Sequence, residues 1–593
     1  MQNRFKVMVV DLSRGKSTVE YFDTRNAWLG GSGLSAGLFS HYALMDEDPF
    51  HPDQPLILAI GPLTGYFPLM SKTVLGFMSP YNSQYAESHA GGRSALALKF
   101  AGYDALVLKG RARKLTCVGL GSKEIHIQDV HFLKGMDIFK TGKKMRTMKP
   151  RNPGHRSILR IGPAGENLVR YSCINVDTYR HFGRMGGGTV MGIKNLKGII
   201  LSGDSHMELD PDLRKEYTKV YDEIYTQVVQ SGTMRKYHDL GTPENLIPLN
   251  ELHALPWRNL QSTHDPGVEA ISGETFARDL LLRQVACAGC PVGCVHIGLL
   301  RERFGKEHEF LYRQVSYDYE PIFAVGSMLG VASGPGVLTL LEDVEKLGLD
   351  AISAGVALAW ATEALEKGLI TKEQTLAPLE FGDVQAYREG LRNIAEQPNE
   401  FYKTLAMGTM VAAEKFGGED FACVLGQEMA GYATGENYYV SQALGLRHSH
   451  LDTGAYSFDQ EKDSKDTVEA INFMQDQEDY RVLMCSMVGC LFARKVYPKN
   501  NLLKALNSVG YEFNENELDA VVKKIKSHRW ALKFRTGFKP EEVKIPSRYL
   551  EVQTWKGKAD PDYMNRLKKE YAKVLREMAE NWQKEMEANN ESS

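Results

Sequence analysis

Short hydrophobic runs with little polar interruption recur through the first two hundred residues of the chain. Glycine-rich turns separate these runs, a pattern that predicts short strands in a β-rich domain. The predicted strands cover residues 6–10, 17–22, 56–60, 104–108, 115–120, 124–127 and 198–201.

After residue 206 the apolar residues recur three or four positions apart, which predicts helices. The predicted helices cover residues 212–231, 337–348, 351–367, 399–416 and 562–588. Together these patterns predict an α+β fold with three domains: a β-sheet domain over residues 1–207, then mostly α-helical domains over 208–415 and 416–593.

Composition and apolar run lengths narrow the class of protein. The chain is 43% hydrophobic and 24% charged with a net charge of −3, so nothing indicates a nucleic acid or an anionic membrane as a partner. The longest apolar stretch, 351–362, is twelve residues, short of the ~20 that span a bilayer. The first residues read as a strand rather than a secretory signal. We therefore expect a cytoplasmic protein with no membrane span.

Three cysteines lie within eight residues in the spacing C-x2-C-x3-C, at Cys287, Cys290 and Cys294. Eight cysteines so unevenly spread do not form a disulfide scaffold, and clustered thiols in a large chain indicate metal or redox chemistry. An iron–sulfur cluster takes four such ligands, and Cys485 and Cys490 are the candidates for the fourth. A structural zinc site, which uses the same sulfur ligands, is the alternative.

Glycine clusters in the first domain are the second candidate site. They lie at residues 30–33, 61–65, 89–93 and 183–188, with Lys72, Arg93, Arg180 and Arg184 nearby. Backbone amides exposed at such turns form concavities that bind phosphate. None of the clusters is a dinucleotide or nucleoside-triphosphate fingerprint. They are either tight turns of a β-rich domain or the site of a phosphorylated cofactor.

These features resemble the aldehyde:ferredoxin oxidoreductase family, tungsten enzymes with two pterins, over nearly the whole chain. The matching segments are 28–34 (WLGGSGL), 61–65 (GPLTG), 99–110 (KFAGYDALVLKG), 161–171 (IGPAGENLVRY), 182–197 (FGRMGGGTVMGIKNLK), 250–259 (NELHALPWRN), the cysteine cluster and 345–350 (EKLGLD). The resemblance implies a β-sheet base for the pterins and two helical domains, with the metal between all three.

The resemblance also implies which residues hold the cofactors. Cys287, Cys290, Cys294 and Cys490 would ligate a [4Fe–4S] cluster, because the residues at 489–492 match the family's distal motif better than the surroundings of Cys485. The main-chain carbonyls of His89 and Phe182 would bind a Mg²⁺ that bridges the pterins. The remaining cofactor-binding positions are Lys72, Gly91, Gly92, Arg93, Gly183, Arg184 and Gly186 in the first domain, Glu345, Gly348, Leu349 and Asp350 in the first pterin motif, and Gly489 in the second.

Several positions depart from the family pattern. Glu345 stands where the first pterin motif has Asp, and Cys485 replaces the Asp of the second. Ser457 stands at the position of the family's active-site histidine. His448 and His450 lie just upstream and are candidate replacement proton donors. The Glu-x-x-His iron site that bridges subunits in some members is not matched, so an iron-bridged dimer is not expected.

Glu320 occupies the position of a catalytic glutamate in the family. A carboxylate buried near a metal centre can have a raised pKa and shuttle protons at neutral pH, and we expect this of Glu320. An ion pair with a neighbouring basic residue is the structural alternative.

The predicted function is that of a tungsten (or molybdenum) bis-pterin oxidoreductase with a [4Fe–4S] cluster. It would oxidise an aldehyde to a carboxylic acid and pass electrons to ferredoxin or to a partner iron–sulfur subunit, alone or in a homo- or hetero-oligomer. One alternative is a low-potential reductase of an aromatic acyl-CoA, like benzoyl-CoA reductase, on the same scaffold. Another is an electron-relay subunit without catalysis.

Overall fold

The structure is a computed structural model that describes residues 4–151, 154–304 and 309–591. The strands are β1 (Arg4–Asp11), β2 (Lys16–Thr24), β3 (Leu56–Ala59), β4 (Thr73–Met78), β5 (Tyr85–Ala90), β6 (Ala105–Lys109), β7 (Thr116–Gly121), β8 (Ile125–Asp129), β9 (His155–Arg160), β10 (Ile174–Val176), β11 (Arg180–Phe182), β12 (Leu196–Gly203), β13 (Leu281–Val285), β14 (Val295–Arg303), β15 (Phe310–Tyr317), β16 (Gln553–Thr554) and β17 (Gly557–Lys558).

The α-helices are α1 (Arg25–Trp28), α2 (Gly31–Tyr42), α3 (Ser94–Phe100), α4 (Ile138–Met145), α5 (Pro163–Glu166), α6 (Gly187–Ile193), α7 (Arg214–Gln230), α8 (Gly232–Asp239), α9 (Leu246–Glu251), α10 (Gly273–Thr275), α11 (Tyr319–Val325), α12 (Gly334–Leu347), α13 (Ala351–Glu366), α14 (Lys372–Thr375), α15 (Val384–Glu396), α16 (Glu400–Leu405), α17 (Thr409–Phe416), α18 (Glu436–Leu444), α19 (Ala455–Glu461), α20 (Thr467–Ser486), α21 (Lys499–Ser508), α22 (Glu515–Arg535), α23 (Arg548–Glu551) and α24 (Pro561–Glu591).

Two six-stranded mixed sheets make up the N-terminal part of the chain. The first has the order β2-β1-β6-β3-β4-β5 and the second β11-β10-β9-β12-β7-β8. In each sheet one central pair is parallel, β1 with β6 and β7 with β12, and the other pairs are antiparallel. All seven strands predicted from the sequence are present, and the predicted α+β class is confirmed.

Both faces of the first sheet are buried, which explains its uninterrupted hydrophobic runs. Successive side chains point to opposite faces of a strand. Met8 and Val10 accordingly face the second sheet, whereas Val7 and Val9 face the core formed with the helical part of the chain. Helix α2 packs on that second face, against β3 and β4. The sheet domain is thus joined to the helices by a continuous hydrophobic core.

The helical part follows the predicted helices closely, with one break. The helix predicted over 399–416 is two helices, α16 and α17. They are separated at Gly408, whose φ of 135° is incompatible with a helix. Among the described residues no single helix is long and apolar enough to span a bilayer; the pair 319–329 and 334–347, bent by 111°, meets that test only when taken together.

A three-stranded antiparallel sheet, β13-β14-β15, interrupts the helical part and was not predicted. Its strands contain charged residues on their exposed faces, and β15 in particular buries only Val315 and Tyr317 fully. The alternation of apolar and polar residues that would predict these strands is therefore weak in the sequence. This sheet positions the site, because the loop between β13 and β14 carries Cys287, Cys290 and Cys294.

Candidate active site

The cysteine loop folds back on itself between β13 and β14. Gly289 and Gly293 have φ values of 67° and 68°, a left-handed conformation that glycine adopts without strain. The N–H of Cys290 donates to the carbonyl of Cys287 at 3.2 Å, and the N–H of Val292 points at Cys290 Sγ at 3.5 Å. Backbone donors directed at sulfur are suited to stabilising a thiolate.

Cys490, far along the chain, is connected to this loop by two backbone hydrogen bonds through Leu69. The N–H of Leu69 donates to the carbonyl of Gly289 at 3.2 Å, and the N–H of Cys490 donates to the carbonyl of Leu69 at 2.9 Å. Burial raises the pKa of the Cys290 thiol to about 11, and the nearby thiols of Cys490 and Cys287 add to the rise. The structure thus places Cys490 beside the three clustered cysteines.

A buried guanidinium lies against this group of thiols. Arg180 Nη2 is 3.7 Å from Cys294 Sγ, and Arg180 Nη1 is 3.4 Å from Asp318 Oδ2. Burial alone would lower the pKa of Arg180, but Cys287, Asp318 and Cys294 raise it above its ordinary value. A fixed positive charge at this position would balance part of the negative charge of an iron–sulfur cluster ligated by four thiolates.

Four cysteine thiols are the donors that both an iron–sulfur cluster and a structural zinc site take. Among the described residues, no three Cys, His, Asp or Glu side chains are grouped so as to hold a single metal ion. An iron–sulfur cluster contains several irons joined by its own sulfides, and four cysteines surround it from outside.

The cysteine loop also contacts the glycine loop after β5. The N–H of Ala288 donates to the carbonyl of Gly92 at 3.0 Å. A Cβ at Gly91 would lie only 2.7 Å from Cys287 Sγ, so this close approach requires glycine. The predicted cluster site and the predicted phosphate-binding loop are therefore direct neighbours.

The thiol of Cys485 interacts with His89, Arg447 and Lys72. Burial would raise the pKa of its thiol, but His89, Arg447 and Lys72 lower it to about 7. The replacement of the family's Asp thus keeps an acidic group at this position. The positive charge of Lys72 is thus directed at this thiol, an anion when it is deprotonated.

A buried ion pair between Glu87 and Arg529 holds the side chain of His89 in place. Glu87 accepts hydrogen bonds from Arg529 Nε at 2.7 Å and Arg529 Nη2 at 3.0 Å, and from His89 Nε2 at 3.1 Å. Burial would raise the pKa of Glu87, but Arg529 and His89 hold it far below its ordinary value. Glu87 therefore stays ionised and fixes the orientation of the His89 ring.

The residues of the predicted first pterin motif are engaged with protein partners. Asp350 caps the N-terminus of α13 by accepting from the N–H groups of Ile352 and Ser353 at 3.2 and 3.1 Å. It also accepts from Arg184 Nε at 3.1 Å. Glu345 accepts from His181 Nε2 at 2.9 Å. Asp350 and Arg184 therefore hold each other in place, and any contact with a pterin must use the acceptor capacity that remains on Asp350.

The other predicted cofactor positions differ in their surroundings. A Cβ at Gly183 would meet no atom within 4 Å, so this loop borders open space. His89 and Phe182 lie on β5 and β11, which pack against each other. Arg93 is exposed and pairs with Asp177 at 3.5 Å, so its side chain points away from the core.

Four further positions serve close packing or backbone pairing in the structure. Gly186 and Gly348 have φ values of 82° and 75°, and added Cβ atoms would lie 2.2 Å from the Arg170 carbonyl oxygen and 2.8 Å from the Gly162 nitrogen. A Cβ at Gly489 would lie 2.7 Å from Met484. Leu349 forms an isolated β-bridge with Ser172.

Glu320 and His450 meet in a buried cluster of aromatic residues. His450 Nε2 is 3.1 Å from Glu320 Oε1, and the hydroxyl of Tyr432 donates to the same oxygen at 3.1 Å. Burial would raise the pKa of Glu320, but the hydrogen bonds from His450 and Tyr432 lower it. The expectation of a raised pKa is therefore wrong: Glu320 stays ionised and is suited to accept a proton. His450 Nδ1 is buried without a hydrogen-bond partner.

His448 has a different environment. Its Nδ1 lies 2.9 Å from the carbonyl of Ala443 and its Nε2 lies 3.0 Å from Lys533 Nζ. Burial, assisted by the positive Lys533, lowers its pKa to about 3. With both ring nitrogens engaged and the ring neutral, the contacts of His448 are structural ones. Ser457, at the position of the family's histidine, donates its hydroxyl to the carbonyl of Gly454 at 2.9 Å.

Sequence reasoning did not identify Tyr432, Tyr456, Arg481 or Arg529 as parts of the site. Tyr456 directly precedes Ser457 in the segment that was aligned with the family's histidine motif. Tyr432, Arg481 and Arg529 lie in no motif with recognisable spacing and join the site through contacts between distant segments. The capping role of Asp350 did have a signal, because an aspartate directly before a predicted helix is a preferred N-cap.

Comparisons with known proteins agree with this architecture. The family models for the N-terminal domain of aldehyde ferredoxin oxidoreductase and for its domains 2 and 3 match residues 7–203 and 219–585. The tungsten-containing aldehyde ferredoxin oxidoreductase of Pyrococcus furiosus is 30% identical, over 91% of this chain and 90% of the relative. The WOR-like subunit of an aliphatic sulfonate oxidoreductase from the same organism is 31% identical over 69% of this chain and 67% of the relative.

Among solved structures, the active-site complex BamBC of benzoyl coenzyme A reductase, in complex with 1,5-dienoyl-CoA, superposes with a TM-score of 0.81. The superposition covers 96% of this chain and 95% of the solved chain, with 20% sequence identity, which shows a shared fold. The chain therefore belongs to the aldehyde ferredoxin oxidoreductase family and is an oxidoreductase.

Proposed function

We propose that the protein uses a tungsten or molybdenum bis-pterin and a [4Fe–4S] cluster to oxidise an aldehyde to a carboxylic acid. The balanced reaction is RCHO + H2O → RCOOH + 2 H⁺ + 2 e⁻. The enzyme must therefore orient the aldehyde, remove protons and release two electrons. The observation that carries the proposal is the buried contact between Glu320 and His450. Glu320 lies two residues after Asp318, which pairs with Arg180 at the cysteine cluster.

Residues of the sheet domain would hold the cofactor. When bound, the pterin-held metal supplies the two-electron redox chemistry, while the protein binds and orients the reactants. The ammonium of Lys72 and the amides around Gly91 and Gly92 would bind phosphate oxygens. The open space at Gly183 would receive part of the cofactor. The main-chain carbonyls of His89 and Phe182 would bind the bridging Mg²⁺.

Glu320 and His450 would move the protons. Since Glu320 is ionised, its carboxylate can accept a proton from water or from the hydrated aldehyde as the acid forms. Tyr432 holds that carboxylate in one orientation through its hydroxyl. His450 Nδ1, which lacks a partner, can relay a proton away from Glu320. The proposal thus assigns the catalytic role to His450 and a structural one to His448.

The electrons would leave through the cluster held by Cys287, Cys290, Cys294 and Cys490. Gly289 and Pro291 in the cysteine loop are exposed, so a redox partner can approach the cluster closely. The proposed partner is ferredoxin or an iron–sulfur subunit. Two similar proteins are described as a subunit and as a two-component complex, which supports a partner of this kind.

An anaerobic assay of the purified, metal-loaded protein tests the proposal. Aldehydes and aromatic acyl-CoA thioesters are supplied separately, with a viologen dye as electron acceptor or donor. The expected result is dye reduction with aldehydes and formation of the corresponding acid. Lack of aldehyde oxidation together with reduction of the aromatic ring of the thioester would overturn the proposal in favour of a benzoyl-CoA reductase-like activity. Lack of both would leave the electron-relay role.

A further inference from the structure

Two guanidinium groups beside the aromatic cluster have no carboxylate partner in the parts of the chain that the structure describes. Arg481, on α20, donates from Nη1 to the side-chain and main-chain oxygens of Gln477 at 2.6 and 3.1 Å, while its Nε is buried without a partner. Arg494 donates to the carbonyl of Leu491 at 3.2 Å and to the hydroxyl of Tyr237. None of these hydrogen-bond partners carries a negative charge.

The two positive charges also act on each other. Burial lowers the pKa of Arg481, Tyr456 acts against that shift, and the charge of Arg494 adds to it. Burial would lower the pKa of Arg494 too, but Tyr237 and Tyr456 raise it, so the repulsion costs free energy mainly at the more buried Arg481. Cys485 and Asp452 act against the shift at Arg481, but Asp452 is already paired with Arg447 at 2.7 Å. A bound anion would remove this cost.

Tyr456 connects the arginines to the proposed catalytic residues. It interacts electrostatically with both Arg481 and Arg494. Its ring stacks on that of Tyr432 with centroids 4.8 Å apart and lies 6.2 Å from the ring of His450. One aromatic side chain therefore separates the guanidinium groups from the residues that contact Glu320.

Arg481 packs closely against the chain before α19. A Cβ at Gly454 would lie 2.3 Å from Arg481 Nη2, so the guanidinium lies directly against this loop. Arg494 is exposed, whereas Glu320 is largely buried. Arg494, Arg481 and the Glu320–His450 pair thus follow one another from the surface inward.

We propose that Arg481 and Arg494 bind an anionic group, carboxylate or sulfonate, at the far end of a short substrate whose aldehyde carbon faces Glu320 and His450. The inference rests on the proposed aldehyde oxidation and names its substrate class. The planar fork of a guanidinium matches the oxygens of both anions and binds them by charge-assisted hydrogen bonds. The rings of Tyr456 and Tyr432 would pack against the carbon chain between the two ends.

Kinetics with matched aldehydes tests this site. Butanal, 4-oxobutanoate and 3-oxopropane-1-sulfonate have similar lengths and differ in the terminal group. We expect the anionic aldehyde that fits to have a KM about tenfold to hundredfold lower than butanal, the range for a charge-assisted hydrogen-bonded contact. Arg481→Gln should remove most of that difference, Arg481→Lys should restore part of it, and Lys495→Gln, at an exposed neighbouring lysine, should leave it unchanged.

Calorimetric titration with the unreactive anions succinate and ethanesulfonate tests the anion-binding site separately from the proposed aldehyde oxidation. Binding that is at least tenfold weaker in Arg481→Gln supports the site even if no aldehyde is oxidised, and in that case only the proposed function fails. Equal KM values for butanal and both anionic aldehydes, with no binding of either anion, overturn the site while the aldehyde oxidation stands. Loss of tungsten from Arg481→Gln would overturn it too, by assigning the arginine to the cofactor. Preference for one anion over the other identifies the terminal group.

Discussion

Replacing Tyr432 by phenylalanine should make Glu320 easier to protonate. The Tyr432 hydroxyl donates to Glu320 Oε1 at 3.1 Å, and this bond is one of the causes that lower the pKa of the carboxyl group. A hydrogen bond to a charged group contributes about 1.5–3 kcal/mol, and about 1.4 kcal/mol corresponds to a tenfold change in a proton equilibrium. The bond from His450 remains, so the lower end of that range applies.

The measurable consequence is a displaced pH profile. If ionised Glu320 accepts the proton, activity falls as pH drops through its pKa. Removing a bond that favours the ionised form raises that pKa, so the acidic limb of the kcat/KM profile should move about one pH unit higher. Tyr438→Phe is the matched control, because its hydroxyl in the same cluster donates to Gln442 instead.

The assay is the viologen-linked oxidation of an aldehyde from pH 3 to 9 with wild type and both variants, because the lowered pKa of Glu320 places the wild-type acidic limb at the low end of this range. The reasoning is refuted if Tyr432→Phe lowers the rate equally at every pH or moves the limb to lower pH. Either result would mean that Glu320 is not the group whose ionisation limits the reaction. A similar displacement with Tyr438→Phe would show an indirect effect on the aromatic cluster.

Three further predictions concern stability and cofactor binding. Arg529→Met should lower the free energy of unfolding by about 3–5 kcal/mol by leaving Glu87 charged and buried, measured by urea unfolding; adding Glu87→Leu should recover most of the loss. Gly183→Ala and the control Gly232→Ala should both leave the unfolding temperature unchanged, because neither added Cβ meets an atom within 4 Å. Only Gly183→Ala should lower the pterin content of the purified protein. The pKa of His448 falls to about 3 on folding, so at low pH the unfolded chain binds a proton that the folded chain does not. The free energy of unfolding should therefore decline by up to about 1.4 kcal/mol per pH unit below pH ~6.5. His448→Gln should flatten this decline, measured as urea midpoints at pH 4.5 and 7.5.

The sheet domain was predictable from sequence because its chemistry is local. Runs such as 6–10 and 56–60 are apolar on both faces, and strands buried on both faces require that pattern. The β13–β15 sheet was not predictable in this way, because β13 and β15 bury few side chains and β14 ends in the charged residues 301–303. The spacing of the cysteines identified the three-cysteine motif, and resemblance to the family then selected Cys490 over Cys485 and identified Glu320.

The contacts that give the site its charge states could not be read from the sequence. Glu320 and His450 lie on distant segments, and only the fold brings Nε2 of one to within 3.1 Å of the other. The direction of the Glu320 pKa depends on that contact and on Tyr432, which outweigh burial. The two histidines of the 447–452 loop look equivalent in sequence, yet the structure engages both ring nitrogens of His448 and leaves one free on His450.

The central claim is a four-cysteine iron–sulfur cluster beside a pterin-bound metal, and anaerobic metal analysis with EPR of the reduced protein tests it most directly. The account predicts about four irons and about one tungsten or molybdenum per chain, with a [4Fe–4S] signal that Cys490→Ser removes and Cys485→Ser retains. Zinc in place of iron, or iron without tungsten or molybdenum, would contradict it.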